Sequence, residues 1–261
     1  MAGILDEIVA AKRQELQDAK QEFPEEFLVE EIPTGDPPLF AAAFQAGGLN
    51  ILAEIKYRSP SRGPFPCLLE PVEIAGLYSG SGAVGLSILT EKNYFAGAPE
   101  HLRDVRKEFP EIPVLRKDFL FDSYQVLESR VWGASAILAI VACLQPSQLI
   151  GLLASAREFL LDVVVEIHDL QELETAVESG AKIIGVNNRN LRDFSVDINT
   201  SFEIARRLEG AQDYLLIAES GLSERTQLLE LQDAGFRGFL IGGHFMNDQN
   251  PGERLAELLA Q

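Results

Sequence analysis

The stretch AEIKYRSPSRG, residues 53–63, carries the end of an apolar segment into a loop. The segment Leu49–Ile55 has the composition of a β-strand, and the serines, prolines and glycine that follow it are typical of a loop. Glu54 and Lys56 stand two residues apart, so in a strand both side chains point to the same face. The sequence therefore predicts a buried strand that ends with a carboxylate and an ammonium directed into a common space.

Apolar runs of this kind recur along the chain. Most are continuous rather than alternating, which is the pattern of strands covered on both faces in a parallel sheet. The runs are Leu49–Ile55, Ala83–Leu89, Ile112–Leu115, Ala136–Val141, Leu161–Val165, Lys182–Val186, Tyr214–Ala218 and Gly238–Ile241.

Segments with helical periodicity separate these runs, and several end beside a glycine, a common helix C-cap residue. They are Pro71–Ser79, Ala98–Phe109, Ser123–Trp132, Pro146–Phe159, Leu170–Ser179, Asn199–Leu208 and Glu224–Ala234. Repeated strand–helix units in a chain of this length predict an α/β protein, a single (β/α)8 TIM barrel domain over residues 1–261. A doubly wound sheet uses the same units, but it more often carries a glycine-rich dinucleotide loop after its first strand, and none is present.

The residues before the first strand, 1–46, are interpreted as a helical extension of the barrel rather than a second domain. Ile4, Ile8 and Leu16 fall at helical spacing and predict an amphipathic helix. Charges from Asp6 onward leave no apolar core of a signal peptide.

The chain is acidic, with 261 residues, a formal net charge of −18 and a pI near 4.6. This balance argues against nucleic acid and anionic membranes as partners, because both require a basic footprint. It does not exclude a small anionic substrate, which responds to the local field of a cleft. Cys67 and Cys143 form neither a disulfide framework nor a metal motif, and no run reaches the ~18 apolar residues of a membrane helix. We therefore expect a cytoplasmic protein without a metal site.

Polar side chains follow most of the predicted strands at their carboxyl ends, where the active sites of such barrels lie. One polar strand end alone is commonly just solvated. Several charges directed along one barrel axis would instead be buried together and shift one another's pKa values, as acid–base chemistry requires. The residues are Glu54, Lys56, Ser87, Arg116, Lys117, Asp118, Glu166, Asn187, Asn188, Arg189, Glu219 and Ser220; the fourth strand stays apolar.

Glycines directly after the last two strands indicate a phosphate site. Gly221 follows the seventh strand, and Gly242 and Gly243 follow the eighth. Barrels often bind phosphate there through backbone N–H groups and the N-terminus of a short helix. The loop after the first strand adds the hydroxyl of Ser59, with Arg58 and Arg62 nearby.

Six motifs, in order along essentially the whole chain, resemble those of the indole-3-glycerol-phosphate synthases of tryptophan biosynthesis. They are AEIKYRSPSRG (53–63), LSILTEKNYFAG (86–97), VLRKDFLFDSYQVLESR (114–130), GVNNRNL (185–191), AESGL (218–222) and LIGGHFM (240–246). The resemblance implies a carbon–carbon lyase that acts on 1-(2-carboxyphenylamino)-1-deoxyribulose 5-phosphate. The reaction closes a pyrrole ring, loses carbon dioxide and then water, and yields indole-3-glycerol phosphate. The resemblance implies no metal or organic cofactor.

Ring closure requires an acid that protonates the ribulose carbonyl. Lys117 suits this role if neighbouring positive charge and burial lower its pKa, and the resemblance favours Lys117 as this acid. It also favours Glu166 as a second acid–base group. For the dehydration, Glu54, Lys56, Lys117 and Glu166 are all available, and the sequence does not assign each proton transfer.

The other site residues are predicted to hold the substrate or to orient the catalytic groups. The resemblance implies that Asn187 hydrogen-bonds the substrate or orients catalytic groups, and that Arg189 and Lys56 hold its carboxylate and phosphate. The remaining residues would form a polar wall, a phosphate cradle and an apolar slot for the anthranilate ring, with helix 4–16 over the slot; they are Glu219, Ser220, Ser59, Gly221, Gly242, Gly243, Phe95, Phe119 and Leu138.

The sequence departs from the family pattern only locally. Gly243 and His244 stand where the family carries hydroxyl or carboxylate side chains, and Ala98 stands where serine is common. A nearby phosphate would favour the protonated form of His244.

Two other functions fit the same predicted barrel. One is an aldolase that forms a Schiff base through Lys56 or Lys117. The other is a scaffold for pathway enzymes, which would more often have lost the charges at the strand ends. We expect the chain to act on a phosphorylated small molecule, as a monomer or in weak association with other tryptophan-pathway enzymes.

Overall fold

The computed structural model describes residues 4–211 and 213–260, and eight parallel strands form a closed barrel within this part of the chain. Each strand pairs with the next along the sequence, and the last pairs with the first. The strands are β1 (Ile51–Ile55), β2 (Gly85–Leu89), β3 (Val114–Lys117), β4 (Ala136–Ile140), β5 (Asp162–Ile167), β6 (Ile183–Asn187), β7 (Leu215–Glu219) and β8 (Gly238–Ile241). The predicted (β/α)8 barrel is confirmed.

Helices cover the outside of the barrel. They are α1 (Ile4–Glu22), α2 (Glu25–Glu30), α3 (Pro71–Gly80), α4 (Lys92–Phe95), α5 (Pro99–Glu108), α6 (Ser123–Val131), α7 (Pro146–Glu158), α8 (Leu170–Glu178), α9 (Asn199–Arg207), α10 (Arg225–Asp233) and α11 (Pro251–Leu259), with 3-10 turns at Ala41–Gln45 and Val141–Cys143. The sequence analysis did not predict α11, nor a two-stranded ribbon formed by Arg58–Ser59 and Gly63–Pro64 in the loop after β1.

Four strands extend further than predicted, β6 and β7 by one residue each and β3 and β5 by two. β3 continues through Lys117 and β5 through Ile167, past the polar residues at which the apolar runs stop. Lys117 and Glu166 face the barrel interior rather than solvent, so polarity does not mark the strand end here. The sequence pattern therefore ended β3 and β5 two residues too early.

The barrel interior forms an apolar core of its own. Inward-facing Leu52, Leu115 and Ile217 belong to it, together with Phe40 and Phe44 of the extension. The amide of Asn50 donates hydrogen bonds to the carbonyl oxygens of Phe44 (3.1 Å) and Arg237 (2.9 Å). The segment around Ala41–Gln45 therefore closes the amino-terminal end of the barrel and leaves its carboxyl end for the cavity.

Helix α1 is fixed beside the opposite, carboxyl end. Lys12 Nζ lies 3.0 Å from Asp118 Oδ1, and Lys20 Nζ lies 2.8 Å from Asp122 Oδ1. Both partners of the first pair are almost completely buried. The described part of the predicted extension, 4–46, thus covers both ends of the barrel, and the assignment of 1–261 to one domain stays a prediction.

None of the helices within the described residues is long and apolar enough to cross a membrane.

Candidate active site

A cavity of about 670 Å³ lies at the carboxyl ends of the strands. The structure brings every predicted catalytic and substrate-binding residue to its wall; these are Glu54, Lys56, Ser59, Phe95, Lys117, Phe119, Leu138, Glu166, Asn187, Arg189, Glu219, Ser220, Gly221, Gly242 and Gly243. Ile4, Leu5 and Ile8 of α1 also line it. The N-terminal helix therefore forms part of the cavity, where the sequence analysis placed it.

Lys117 lies between two buried carboxylates. Its Nζ is 3.2 Å from Glu166 Oε2 and 3.5 Å from Glu219 Oε2. Strand alternation places the flanking residue Arg116 on the other face, where its Nη2 pairs with Asp118 Oδ2 at 3.0 Å and both side chains are buried. Lys117 therefore presents its charge to the interior of the barrel, whereas the carboxylate of Asp118, which also lines the cavity, is paired with Arg116 and Lys12.

The carboxylate of Glu166 is held from several sides. Oε1 accepts a hydrogen bond from Asn187 Nδ2 at 3.1 Å, and it lies 3.4 Å from Nε2 of His168. Burial opposes ionisation of Glu166, but the charge of Lys117 and the contacts with His168 and Asn187 outweigh burial and hold the pKa of Glu166 well below its usual value. Glu166 is therefore a carboxylate in the free protein.

The pKa of Lys117 is raised, not lowered. Burial favours the neutral amine, but at the high pH where Lys117 titrates the negative charges of Glu166, Glu219 and Glu54 outweigh burial. The condition set for Lys117 in the sequence analysis, a pKa lowered by neighbouring positive charge and burial, is not met, because the groups nearest its ammonium are carboxylates rather than cations. Lys117 is protonated in the free protein.

The pKa of Glu219 is shifted in the opposite direction from that of Glu166. Burial, together with the charges of Glu166 and Glu54, raises its pKa to about 8, against the lowering effect of Lys117. Its Oε1 atom is buried and has no hydrogen-bond partner among the described residues. One lysine shared by two carboxylates leaves Glu219 protonated at neutral pH.

The raised pKa of Glu219 predicts a pH-dependent loss of stability. In the unfolded chain this carboxyl group loses its proton near its ordinary pKa of about 4.3, whereas in the folded protein it keeps the proton up to about pH 8. Between these two pH values the folded state binds more protons than the unfolded state, so the free energy of unfolding falls as pH rises. We expect Glu219→Gln to reduce the fall in the free energy of unfolding between pH 5 and pH 8. Urea unfolding of both proteins across this range measures it, with exposed Glu230→Gln as the control. Equal slopes for wild type and Glu219→Gln would contradict the assignment.

Glu54 and Lys56 form an ion pair inside the cavity, as their spacing predicted. Lys56 Nζ also lies 5.7 Å from the ring centroid of Phe65. On the neighbouring strand end, a Cβ atom on Gly242 would collide with the carboxylate of Glu54. Gly242 is therefore required to give Glu54 its space, a role different from the predicted phosphate contact.

We expect Gly242→Ala to lower kcat/KM by about 10²-fold, because it displaces Glu54 by roughly an ångström. Gly243→Ala is the matched comparison: a Cβ there meets nothing closer than 3.7 Å, and its loss should be far smaller. Steady-state kinetics of both variants measures the difference. Similar losses for the two would show that the space beside Glu54 is not what position 242 provides.

The predicted apolar slot is built from α4, the loop after β3 and strand β4. The rings of Phe95 and Phe119 are 6.2 Å apart and tilted by 42°, and buried Leu138 lines the same cavity. Glu91 caps α4 by accepting hydrogen bonds from the backbone N–H groups of Asn93, Tyr94 and Phe95. This cap fixes the segment that carries Phe95.

The predicted phosphate cradle consists of turns rather than helix N-termini. After β8 the chain makes one turn closed by a 2.9 Å hydrogen bond from Met246 N to Gly242 O, and within the described residues no helix begins between β8 and α11. After β7, Ser220 adopts a left-handed conformation with φ of 66°. Such backbone is uncommon for a residue with a side chain and concentrates at functional sites. Within the described residues a single hydrogen-bonded turn therefore stands after β8, where barrels of this kind often place a short helix.

Arg58 and His244 differ from expectation. Arg58 donates hydrogen bonds to the carbonyl oxygens of Asn93 and Tyr94, so it ties the ribbon after β1 to α4, and it is not among the residues that line the cavity. His244 does line the cavity, but burial and the charge of Arg254 lower its pKa. The ring is neutral in the free protein at neutral pH, and a bound phosphate would have to reverse this.

Comparison with known proteins shows similarity to one family along nearly the whole chain. The family model described as "Indole-3-glycerol phosphate synthase" matches residues 5–258. The chain belongs to the indole-3-glycerol phosphate synthase family. It is 43% identical over 241 residues to the synthase of Chlorobaculum tepidum, covering 91% of this chain and 93% of that protein. It is 41% identical to the synthase of Laribacter hongkongensis, with both chains covered completely.

Solved structures of other enzymes share the fold of this indole-3-glycerol phosphate synthase family member. A 3-hexulose-6-phosphate synthase superposes with a TM-score of 0.61 at 15% identity, covering 81% of this chain and 100% of the other. The enzyme KGPDC from Streptococcus mutans superposes with a TM-score of 0.61 at 11% identity, covering 80% of this chain and 95% of the other. At these identities the likeness shows the barrel alone.

The sequence analysis missed His168 in this family member. His168 follows Glu166 by two residues, the same spacing as Glu54 and Lys56, so the strand periodicity placed both on one side of β5. That spacing was the signal available. It was obscured because the apolar run ends at Val165, and the predicted strand was ended there.

Proposed function

We propose that this chain catalyses the reaction of its family, the conversion of 1-(2-carboxyphenylamino)-1-deoxyribulose 5-phosphate to indole-3-glycerol phosphate. The observation that carries the proposal is the placement of Lys117 between Glu166 and Glu219 in the wall of the cavity. An ammonium, a carboxylate and a protonated carboxyl group then face one space, beside an aromatic slot. This set of groups fits a reaction that needs both acids and a base.

In the proposed ring closure, Lys117 acts on the ribulose carbonyl oxygen. The aromatic carbon that bears the carboxylate attacks the carbonyl carbon, and negative charge develops on the oxygen. An ammonium with a raised pKa stabilises that charge and still delivers its proton, because an alkoxide is the stronger base. The carboxylate then leaves as carbon dioxide, and the electrons of the broken bond restore the aromatic ring.

The dehydration that follows needs an acid for the leaving hydroxyl and a base for the proton lost from the new ring. Lys56 and Lys117 are the candidates for the acid, and Glu54 and Glu166 for the base, since all four line the cavity. Asn187 holds Glu166 in place, while Arg189 and Lys56 bind the anionic groups of the substrate. Backbone N–H groups after β7 and β8, with Ser59, bind its phosphate.

The test is direct. Purified protein is mixed with the carboxyphenylamino-deoxyribulose phosphate, and the appearance of indole fluorescence is followed. Product formation supports the proposal, and an unchanged substrate contradicts it.

A Schiff-base aldolase is the second candidate function. For an aldolase, borohydride would reduce the Schiff base and leave a covalent adduct on the protein. The raised pKa of Lys117 disfavours it, because a protonated amine is not a nucleophile.

We also propose that the enzyme acts in the cytoplasm, as a monomer or in weak association with other enzymes of its pathway. The free thiols of Cys67 and Cys143 support a reducing compartment.

A further inference from the structure

His168 lies next to Glu166 without lining the cavity. Its Nε2 is 3.4 Å from Glu166 Oε1, and its side chain is 12% exposed. It therefore has no direct access to a substrate in the cavity. Any influence of His168 on the chemistry must pass through groups of the cavity wall, and the contact with Glu166 is the direct one.

Glu172, in the first turn of α8, fixes the ring of His168 from the other side. Oε2 of Glu172 accepts a hydrogen bond from the backbone N–H of His168 at 2.8 Å and lies 3.0 Å from Nδ1. A carboxylate oxygen only accepts hydrogen bonds, so Nδ1 carries a proton whatever the charge of the ring.

This arrangement decides what Nε2 presents to Glu166. A neutral ring protonated on Nδ1 would turn its Nε2 lone pair toward the negative carboxylate of Glu166. An imidazolium instead places positive charge 3.4 Å from Glu166 Oε1, and the contact becomes an attractive ion pair although its geometry is not that of a hydrogen bond. Two carboxylates on opposite sides of one imidazole therefore favour the doubly protonated form.

The charged groups around His168 agree with this. Burial lowers its pKa, but Glu166 of β5 and Glu172 of α8 outweigh burial and raise the pKa to about 10. Glu219 of β7 interacts with the ring from across the cluster, and Lys117 of β3 pairs with Oε2 of Glu166, the oxygen that His168 does not approach.

The thiol of Cys143 is the other titratable group beside these carboxylates. Burial, with the charges of Glu166, Glu172 and Asp6 of α1, raises the pKa of Cys143 to about 12, so this thiol stays neutral. It therefore adds no charge that would alter the protonation of His168.

We propose that His168, held by Glu172, is a positioning residue whose imidazolium fixes Glu166 and shares its negative charge with Lys117. Without His168, Lys117 would be the main cation facing Glu166 and would release its proton less readily during ring closure. The kinetic part of this inference rests on the proposed function, whereas the charge of the ring does not.

The charge is tested by NMR titration of the ring resonances. The protein has three histidines, and burial lowers the pKa of both His101 and His244, which serve as internal references. We expect the His168 ring to stay protonated from pH 6 to pH 8.5, and Glu172→Gln to bring its titration into this range. Glu174→Gln, an exposed change on the same helix, should leave the titration unaltered. Titration of the wild-type His168 ring near its ordinary value of about 6.5 would overturn the inference.

The role is tested by the pH dependence of kcat. In Glu172→Gln, we expect kcat to fall as pH rises, with the midpoint given by the NMR titration, because the ring loses its charge there. KM should change less than about threefold. His168→Gln should lower kcat by about 10-fold to 100-fold at every pH. This is the range of losses found when a residue that hydrogen-bonds to a metal ligand, and so orients it, is replaced. Glu172→Gln and wild type with superimposable kcat profiles would overturn the role. If wild type makes no indole product, the proposed function fails, and the NMR titration decides the inference by itself.

Discussion

Lys117→Met is expected to lower kcat by ~10²–10⁴-fold, the usual effect of removing a general acid, with KM within about tenfold of wild type. Methionine retains most of the length of the lysine side chain but supplies neither the proton nor the charge that the developing alkoxide requires. It also leaves Glu166 and Glu219 without the cation that lies 3.2 Å and 3.5 Å from them. Stopped-flow or steady-state assays of indole formation measure the loss.

The matched control is Lys182→Met, an exposed lysine immediately before β6, at the opposite end of the barrel from the cavity. It should retain wild-type kinetics. Circular dichroism of the Lys117 variant separates a chemical defect from unfolding, since a buried carboxylate left unpaired is destabilising. A folded Lys117→Met protein that keeps most of its kcat would refute the role of Lys117.

Glu166→Gln is expected to lower kcat by a similar ~10²–10⁴-fold while the fold stays intact. The amide cannot take a proton as the carboxylate does, and its NH2 group repels either Lys117 or Asn187, which both donate to Glu166 in the wild type. The variant also lacks one of the charges that raise the pKa of Lys117. A fall in the pKa of Lys117 should accompany the loss of activity.

Exposed Glu158→Gln on α7 is the control for the Glu166 variant and should behave as wild type. If Glu166→Gln raises KM strongly while kcat stays near wild type, then Glu166 only binds substrate. Glu54 would then be the base of the dehydration. Comparing kcat with KM thus distinguishes the two carboxylates.

The fold was largely readable from the sequence because each strand is covered on both faces. Continuous apolar runs and intervening helices predicted the barrel, and the alternation of Glu54 and Lys56 predicted an inward-facing pair. The strand ends were less predictable. Lys117 and Glu166 interrupt the apolar pattern although they lie inside strands, so a rule that ends strands at charged residues fails where a site is built.

The protonation states could not be read from the sequence. The raised pKa of Lys117 depends on Glu54, Glu166 and Glu219, which come from three different strands and meet only in the closed barrel. His168 was missed for a related reason, since its partner Glu172 lies on the following helix. Every predicted site residue lies in the cavity wall. The charge that each one carries follows from distances that no spacing along the chain specifies.

The glycines inside the barrel bear on any attempt to move this site to another protein. A Cβ atom on Gly242 would strike the carboxylate of Glu54, and one on Gly185 would strike the carboxylate of Glu219. Each acidic side chain thus occupies volume that the neighbouring strand leaves vacant. Grafting the acids alone onto a different eight-stranded scaffold would place them against methyl groups or larger side chains. The transferable unit is the acid together with the glycine beside it, and homologous barrels that exchange one of the pair should be found to exchange both.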